Sequence, residues 1–298
     1  EPDTNITGGE SLIRQFIHGK RYFRQEFGCD TQIFWEPDVF GYSAALPQIM
    51  RGCGIPYFAT QKIMWAYNDG DPFPYNDFLW RGIDGSQVLA HVFHGYGYET
   101  SPKELIEAWT GRAQKSGTTG LMLPFGYGDG GGGATREHLE YLRRAHNLEG
   151  APRTRMAPPI KYFEDLERRR MTLPRYVGEL YFQAHRGTYT SQARTKLLNR
   201  RAEVALRETE FWTSTAAVLA GVAAPLADLD SAWKRLLTNQ FHDILPGSSI
   251  GRVYEEAEKD LAEVVALAGD MTRAAINALV TDSSRGAITV FNSLSFTR

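Results

Sequence analysis

The sequence predicts an α/β fold with a mostly parallel sheet and flanking helices, followed by a three-helix bundle. Three observations carry this. Strand-like apolar runs alternate with amphipathic helical stretches over roughly the first 185 residues, strand signals then stop, and three long stretches of helical period follow. At 298 residues the chain is long enough to bury a sizeable core.

Residues 9–27, GESLIRQFIHGKRYFRQEF, place Leu12, Ile13, Phe16, Ile17, Phe23 and Phe27 at helical spacing, and the apolar QIFW follows at once. A helix over 43–52 leads to strand-like YFAT at 57–60. The strand QVLAHVF at 87–93 precedes a helix over 102–116, and TGLMLPFG at 119–126 reads as a buried strand. Helices near 135–147 and 161–169 complete this part. Beyond 191, helices are expected at 191–220, 229–243 and 249–280. In the last, Val253, Ala257, Leu261, Val264, Ala268, Met271 and Ala275 recur every three or four residues as one apolar stripe. The closing AITVFNSLSF alternates weakly, like the first strand of a further part. Glu-Pro-Asp occurs at 1–3 and at 36–38 without any longer repeat around it.

Composition excludes some functions. Lys+Arg 33 against Asp+Glu 35 leaves a formal net charge of -2, which supplies no basic footprint for nucleic acid or an anionic membrane. The one basic run, Arg168-Arg169-Arg170, reads as a solvated helix end. No apolar run approaches the roughly 18 residues of a membrane span, and no signal sequence is visible. Cys29 and Cys53 have neither redox nor zinc spacing, so a cytoplasmic setting is expected. The sequence opens EPDTNITGGESL without a methionine and stops at VFNSLSFTR, so both ends read as cuts.

Three segments offer chemistry. In IFWEPDVFGYS, at 33–43, Asp38 stands among Phe34, Trp35 and Phe40, where an unpaired charge would cost several kcal/mol, so it needs a partner. The plainer alternative is a turn fixed by Pro37 in which Asp38 caps a helix near Ser43. In GYGDGGGG, at 126–133, four glycines after Asp129 let the backbone lie close to a ligand beside one carboxylate, or simply form a flexible connection. The Lys-Ser/Thr pair of a phosphate loop is absent. In NQFHDILPGSSI, at 239–250, His242 and Asp243 close a helix before Pro246-Gly247 turn the chain, and a histidine there is also favoured by the helix C-terminus alone. The other histidines, His18, His91, His94, His138, His146 and His185, form no local zinc motif.

Together these segments resemble the α-mannosidases of glycoside hydrolase family 38, of the bacterial and cytosolic type. The motifs FWEPDVFGYSAALPQIMRGCGIPYFATQKIMW, FLWRGIDGSQVLAH, PFGYGDGGGGAT, ELYFQAHRGTYTSQARTKLLNRRAE and NQFHDILPGSSI run through nearly the whole chain in that family's order. The resemblance implies a retaining glycosidase in which Asp38 is both nucleophile and Zn²⁺ ligand and Asp129 is the acid/base. It implies that His242 is a second zinc ligand and that Asp243, Phe40 and Lys62 contact the sugar. The partner implied is a mannose-containing oligosaccharide or glycoside, and a homo-oligomer stays open. The family's N-terminal His-x-Asp pair has no counterpart here, and Asp129 is followed by Gly130 rather than a second aspartate.

The organisation implied is a partial α/β catalytic domain over 1–185, a helical bundle completing the active site over 186–284, and the start of a truncated β domain over 285–298. The chain as given is expected to be an inactive fragment. Two readings stand beside it: a non-catalytic carbohydrate-binding remnant, and another metal-dependent carbohydrate hydrolase such as a deacetylase.

Overall fold

The computed structural model describes residues 1–65, 71–169, 172–280 and 288–297. The chain divides into two compact units, residues 16–186 with Glu1 and residues 3–5, and residues 187–298 with Pro2 and residues 6–15. Helix α1 (Gly9–Phe27) gives its first residues to the second unit and the rest to the first.

The first unit continues with β1 (Ile33–Glu36), β2 (Gly41–Tyr42), α2 (Leu46–Gly52), β3 (Tyr57–Thr60), β4 (Asp77–Arg81), β5 (Gln87–Val92), α3 (Pro102–Gly111), α4 (Arg136–Ala145), α5 (Ile160–Arg168), β6 (Arg175–Val177) and β7 (Leu180–Tyr181). Five strands form one sheet in the order β1-β3-β5-β4-β6. Three pairings are parallel, and β4 against β5 is antiparallel. The mostly parallel sheet therefore stands. β3 is buried at all four positions, as a strand covered on both faces must be. Tyr57 and Ala59 join Leu89, Phe93, Phe163 and Leu166 on one face. Phe58 points the other way, its ring 5.0 Å from that of Tyr42 and 4.9 Å from that of Trp80.

Several expectations change. The helices expected over 43–52 and 102–116 are shorter, Leu46–Gly52 and Pro102–Gly111. β4 is a strand that the sequence reading misses. It returns into β5 through Gly82–Ser86, where the Gly82 N–H bonds Ser86 O and Asp84 Oδ1 accepts from the Ser86 N–H, each at 2.9 Å. TGLMLPFG, at 119–126, forms no strand; its one ladder contact among the described residues is the bridge of Phe125 to Tyr98. Its apolarity is real, since Met122 packs toward Tyr57 and Phe163 while Leu123 and Phe125 pack toward Leu105 and Leu142. A strand also needs a neighbour offering backbone groups, and Pro124 has no N–H to give.

The second unit holds α6 (Ala193–Ala220), α7 (Leu226–Thr238) and α8 (Gly251–Leu279), the expected three helices. Their core is Ala202, Leu206, Leu229, Ala232, Trp233, Leu236, Leu237, Leu261, Val264 and Ala268. The α8 stripe is buried at Ala257, Leu261, Val264, Ala268 and Ala275. α7 ends at Thr238, so His242 and Asp243 do not close a helix but lie in the following turns, where Gln240 N–H bonds Leu237 O and Phe241 N–H bonds Thr238 O, each at 3.2 Å. Glu203, 8% exposed, accepts from Gly8 N–H at 2.8 Å and from Ser11 and Gln240 at 3.0 Å each. The strand expected at 287–296 does not form over residues 288–297; Phe291 instead sets its ring edge-on to Trp212 at 5.4 Å. Ala287, Arg170 and the boundary expected at 284/285 lie outside the described residues.

Candidate active site

In the first unit, β1, β3 and β5 run parallel and finish at one edge of the sheet. The chain that leaves those ends supplies Asp38 after β1, Lys62 after β3 and Tyr96 after β5. Side chains just beyond the carboxyl ends of parallel strands converge because the strands lie only about 4.8 Å apart.

Pro37 and Asp38 bend the chain between β1 and β2, and the Asp38 N–H donates to the Glu1 carboxylate at 3.3 Å. The Asp38 carboxylate meets Lys62 Nζ at 2.6 Å, so an ammonium group is the partner within this unit. Lys62 is 8% exposed and lies 3.9 Å from the centre of the Trp65 ring, which offsets part of the cost of burying its charge. The helix-cap alternative for Asp38 fails. α2 begins only at Leu46, behind Ala45, with no side-chain cap.

Phe40 is buried and its ring stands 4.8 Å from that of His185, while its carbonyl accepts from Phe182 N–H at 3.0 Å. Burial holds the His185 imidazole below its ordinary value of 6.5, the positive charge of Lys62 acts in the same direction, and Asp38 opposes both. The sequence reading gave His185 no role. Its position one element beyond β7, against Phe40, becomes visible only once β2 and β7 pair.

Asp129 is exposed, in the short 3-10 turn Gly128–Gly130. The Tyr96 hydroxyl donates to its Oδ1 at 2.8 Å. Burial, the bond to Asp129 and the negative charge of Asp38 push the Tyr96 phenol well above its ordinary value of 10.0, so it stays a donor. Asp38 is thus paired with Lys62 and Asp129 with Tyr96, and the charge of Asp38 acts on the phenol that holds Asp129. Tyr96 went unnamed from sequence, although its place after the strand QVLAHVF was a usable signal.

His242 and Asp243 belong to the second unit. The His242 side chain is buried against the Phe241 ring at 4.3 Å, and its Nε2 is 4.0 Å from Asp243 Oδ2. Asp243 Oδ1 accepts from the Ser248 hydroxyl at 2.9 Å, and its carbonyl accepts from Ser249 at 2.8 Å, which ties the turn to the start of α8. Elsewhere in the first unit a cavity of about 760 Å³ opens between Trp35, Trp109, Met122 and Tyr162. None of the six candidate residues lines it, so it stands apart from this site.

Two family models match the chain: the glycosyl hydrolases family 38 N-terminal domain over residues 1–179, and the alpha mannosidase middle domain over residues 183–279. The chain belongs to glycoside hydrolase family 38. Alpha-mannosidase 2C1 of Mus musculus is 45% identical over 260 residues, covering 86% of this chain and 25% of that relative. An alpha-mannosidase of Saccharomyces cerevisiae is 41% identical over 280 residues, covering 89% and 26%. The chain spans about a quarter of the length of the curated relatives it matches. A crystal structure of an alpha-mannosidase from Enterococcus faecalis V583 superposes with a TM-score of 0.79 at 21% identity, over 93% of this chain and 33% of that one, a likeness of fold.

Family 38 membership raises the question of zinc. Among the described residues no three His, Cys, Asp or Glu side chains converge as a metal site would require. Zinc takes three or four protein ligands, so the described residues do not by themselves fit the ion.

Proposed function

We propose that this chain is the reacting part of a retaining α-mannosidase that hydrolyses terminal α-mannosides in oligosaccharides or glycosides. The observation that supports this most is that Asp38, held by Lys62, and Asp129, held by the Tyr96 hydroxyl, share one neighbourhood, the charge of Asp38 acting on that same phenol. Two carboxyl groups facing one site are what a retaining glycosidase uses, one to attack the anomeric carbon and one to protonate the departing oxygen.

In this reading an Asp38 oxygen attacks the anomeric carbon as the bond to the departing oxygen breaks, and Asp129 delivers a proton to that oxygen. Water then attacks the anomeric carbon, Asp129 takes its proton, and Asp38 is released. Lys62 offsets the charge on Asp38 before substrate enters and then offers a donor to a sugar hydroxyl, while Phe40 supplies an apolar wall. His242 and Asp243 enter on the family resemblance, as metal donor and sugar contact. Zinc dependence enters on the same ground, with Asp38 and His242 as the donors this chain offers. The reading extends to the organisation 1–185, 186–284 and 285–298.

A cytoplasmic setting belongs to the proposal. Cys29 and Cys53 are free thiols, which a reducing compartment preserves. No helix of the described residues is long and apolar enough to cross a membrane. The direct test uses a 2-deoxy-2-fluoro mannoside with a good leaving group on the polypeptide that carries this chain, followed by peptide mapping. An adduct on Asp38 is expected; an adduct elsewhere, or inverted mannose as first product, would sink the reading.

A further inference from the structure

We propose that Tyr96 is a positioning residue: its hydroxyl fixes the carboxyl group of Asp129 toward Asp38, and the glycine loop is shaped to receive its ring. This rests on the reading of Asp38 and Asp129 as the reacting carboxyls.

Asp129 stands in Gly128-Asp129-Gly130-Gly131-Gly132-Gly133, a run whose backbone would sample many conformations and carry the carboxyl with it. Among the described residues the donor that holds its side chain is Tyr96, at 2.8 Å. The fit of the two segments is close. Gly128 has φ +52, and a Cβ there would stand 3.1 Å from both Cδ2 and Cε2 of the Tyr96 ring. A Cβ on Gly97 would lie 3.7 Å from Gly126 O, and the Gly126 N–H bonds Tyr98 O at 3.3 Å. Glycine at 128 therefore serves the approach of a tyrosine ring.

The chemistry gives this contact a use. With Oδ1 holding the phenol, Oδ2 is the oxygen presented to the glycosidic bond, so the proton travels by one fixed route in both half-reactions. No proton leaves Tyr96 at any stage. Loss of the hydroxyl removes orientation from Asp129 and leaves the nucleophile in place.

The test is a double-mutant cycle on kcat/KM in the polypeptide that carries this chain, with methyl α-mannoside and dinitrophenyl α-mannoside as substrates. Tyr96→Phe, which keeps the ring against Gly128, is expected to lose about 10–100-fold on the methyl glycoside and less than about threefold on the activated one. In an Asp129→Ala background it should add less than about twofold. Gly128→Ala, which displaces the ring without removing the hydroxyl, should give the same substrate-selective loss. Equal Tyr96→Phe losses on both substrates, or full additivity with Asp129→Ala, would overturn the inference while leaving the acid/base reading intact. Equal losses for Asp129→Ala itself would remove that reading, and the inference with it.

Discussion

Asp38 and Glu36 sit two residues apart at the end of one strand and have opposite solutions to burial. Asp38 is paired with Lys62, whereas Glu36 is 1% exposed and its Oε2 has no hydrogen-bond partner among the described residues. Burial pushes the Glu36 carboxyl well above its ordinary value of 4.5, and the negative charges of Glu1 and Asp3 act in the same direction. A raised carboxyl stays protonated in the folded state while the unfolded chain has released its proton. Stability therefore falls as pH rises above about 4.5 and levels off once the folded group ionises. Glu36→Gln should flatten that decline above about pH 4.5 in denaturant titrations, and an unchanged slope would show that Glu36 is not its source. For chemistry, Asp38→Asn in the polypeptide that carries this chain should leave the fold intact and remove several powers of ten of kcat, because an amide cannot attack the sugar. Retention of more than about a tenth of kcat would take the nucleophile's role from Asp38. Asp129→Ala should spare mannosides with good leaving groups, which need little protonation.

Among elements, the segment 118–126 shows what holds a strand-like run in place without a ladder. Asp77, wholly buried at the start of β4, accepts from His91 Nδ1 at 2.7 Å, from the Thr118 hydroxyl at 2.7 Å and from the Tyr162 hydroxyl at 3.0 Å. Tyr162 also donates to Gly120 O at 3.2 Å. One carboxylate thereby ties β4, β5, α5 and the loop before Asp129 together. Asp77→Ala leaves the buried His91 Nδ1 without its acceptor and takes one acceptor from the half-buried Thr118 and Tyr162 hydroxyls, and should cost about 3 kcal/mol, against about 1 kcal/mol for Tyr162→Phe, read from chemical denaturation midpoints. A cost below about 1 kcal/mol for Asp77→Ala would mean that water repairs the network. Helical elements were legible because a 3.6-residue period survives whatever lies opposite. The hairpin of β4 was hidden because DFLWR is short, and its assignment depends on pairing with β5.

For the whole molecule, the chain spans about a quarter of the relatives it matches, and its described residues gather no three metal-ligating side chains. By itself it is expected to bind zinc weakly and to turn over no mannoside at a useful rate. Isothermal titration with Zn²⁺ should give a dissociation constant no tighter than about the micromolar range, far from the roughly 10–16 kcal/mol of a complete structural zinc site. A nanomolar constant that Asp38→Ala or His242→Ala abolishes would show that the chain completes a metal centre unaided.

Sequence alone determined the order of helices and principal strands, the switch from sheet to bundle and the family motifs, because these are written in local period and residue type. It also marked Asp38 and Asp129, since a carboxylate beside aromatic rings and one within glycines are odd where they stand. Tertiary structure decided who touches them. Lys62 reaches Asp38 across 24 positions of sequence because parallel pairing of β1 and β3 brings their carboxyl ends to one edge, and Tyr96 reaches Asp129 across 33 because the bridge of Tyr98 to Phe125 sets the glycine loop beside the chain that leaves β5. Such contacts depend on which strands become neighbours, a choice made by the summed burial of the whole unit and recorded in no single stretch of residues.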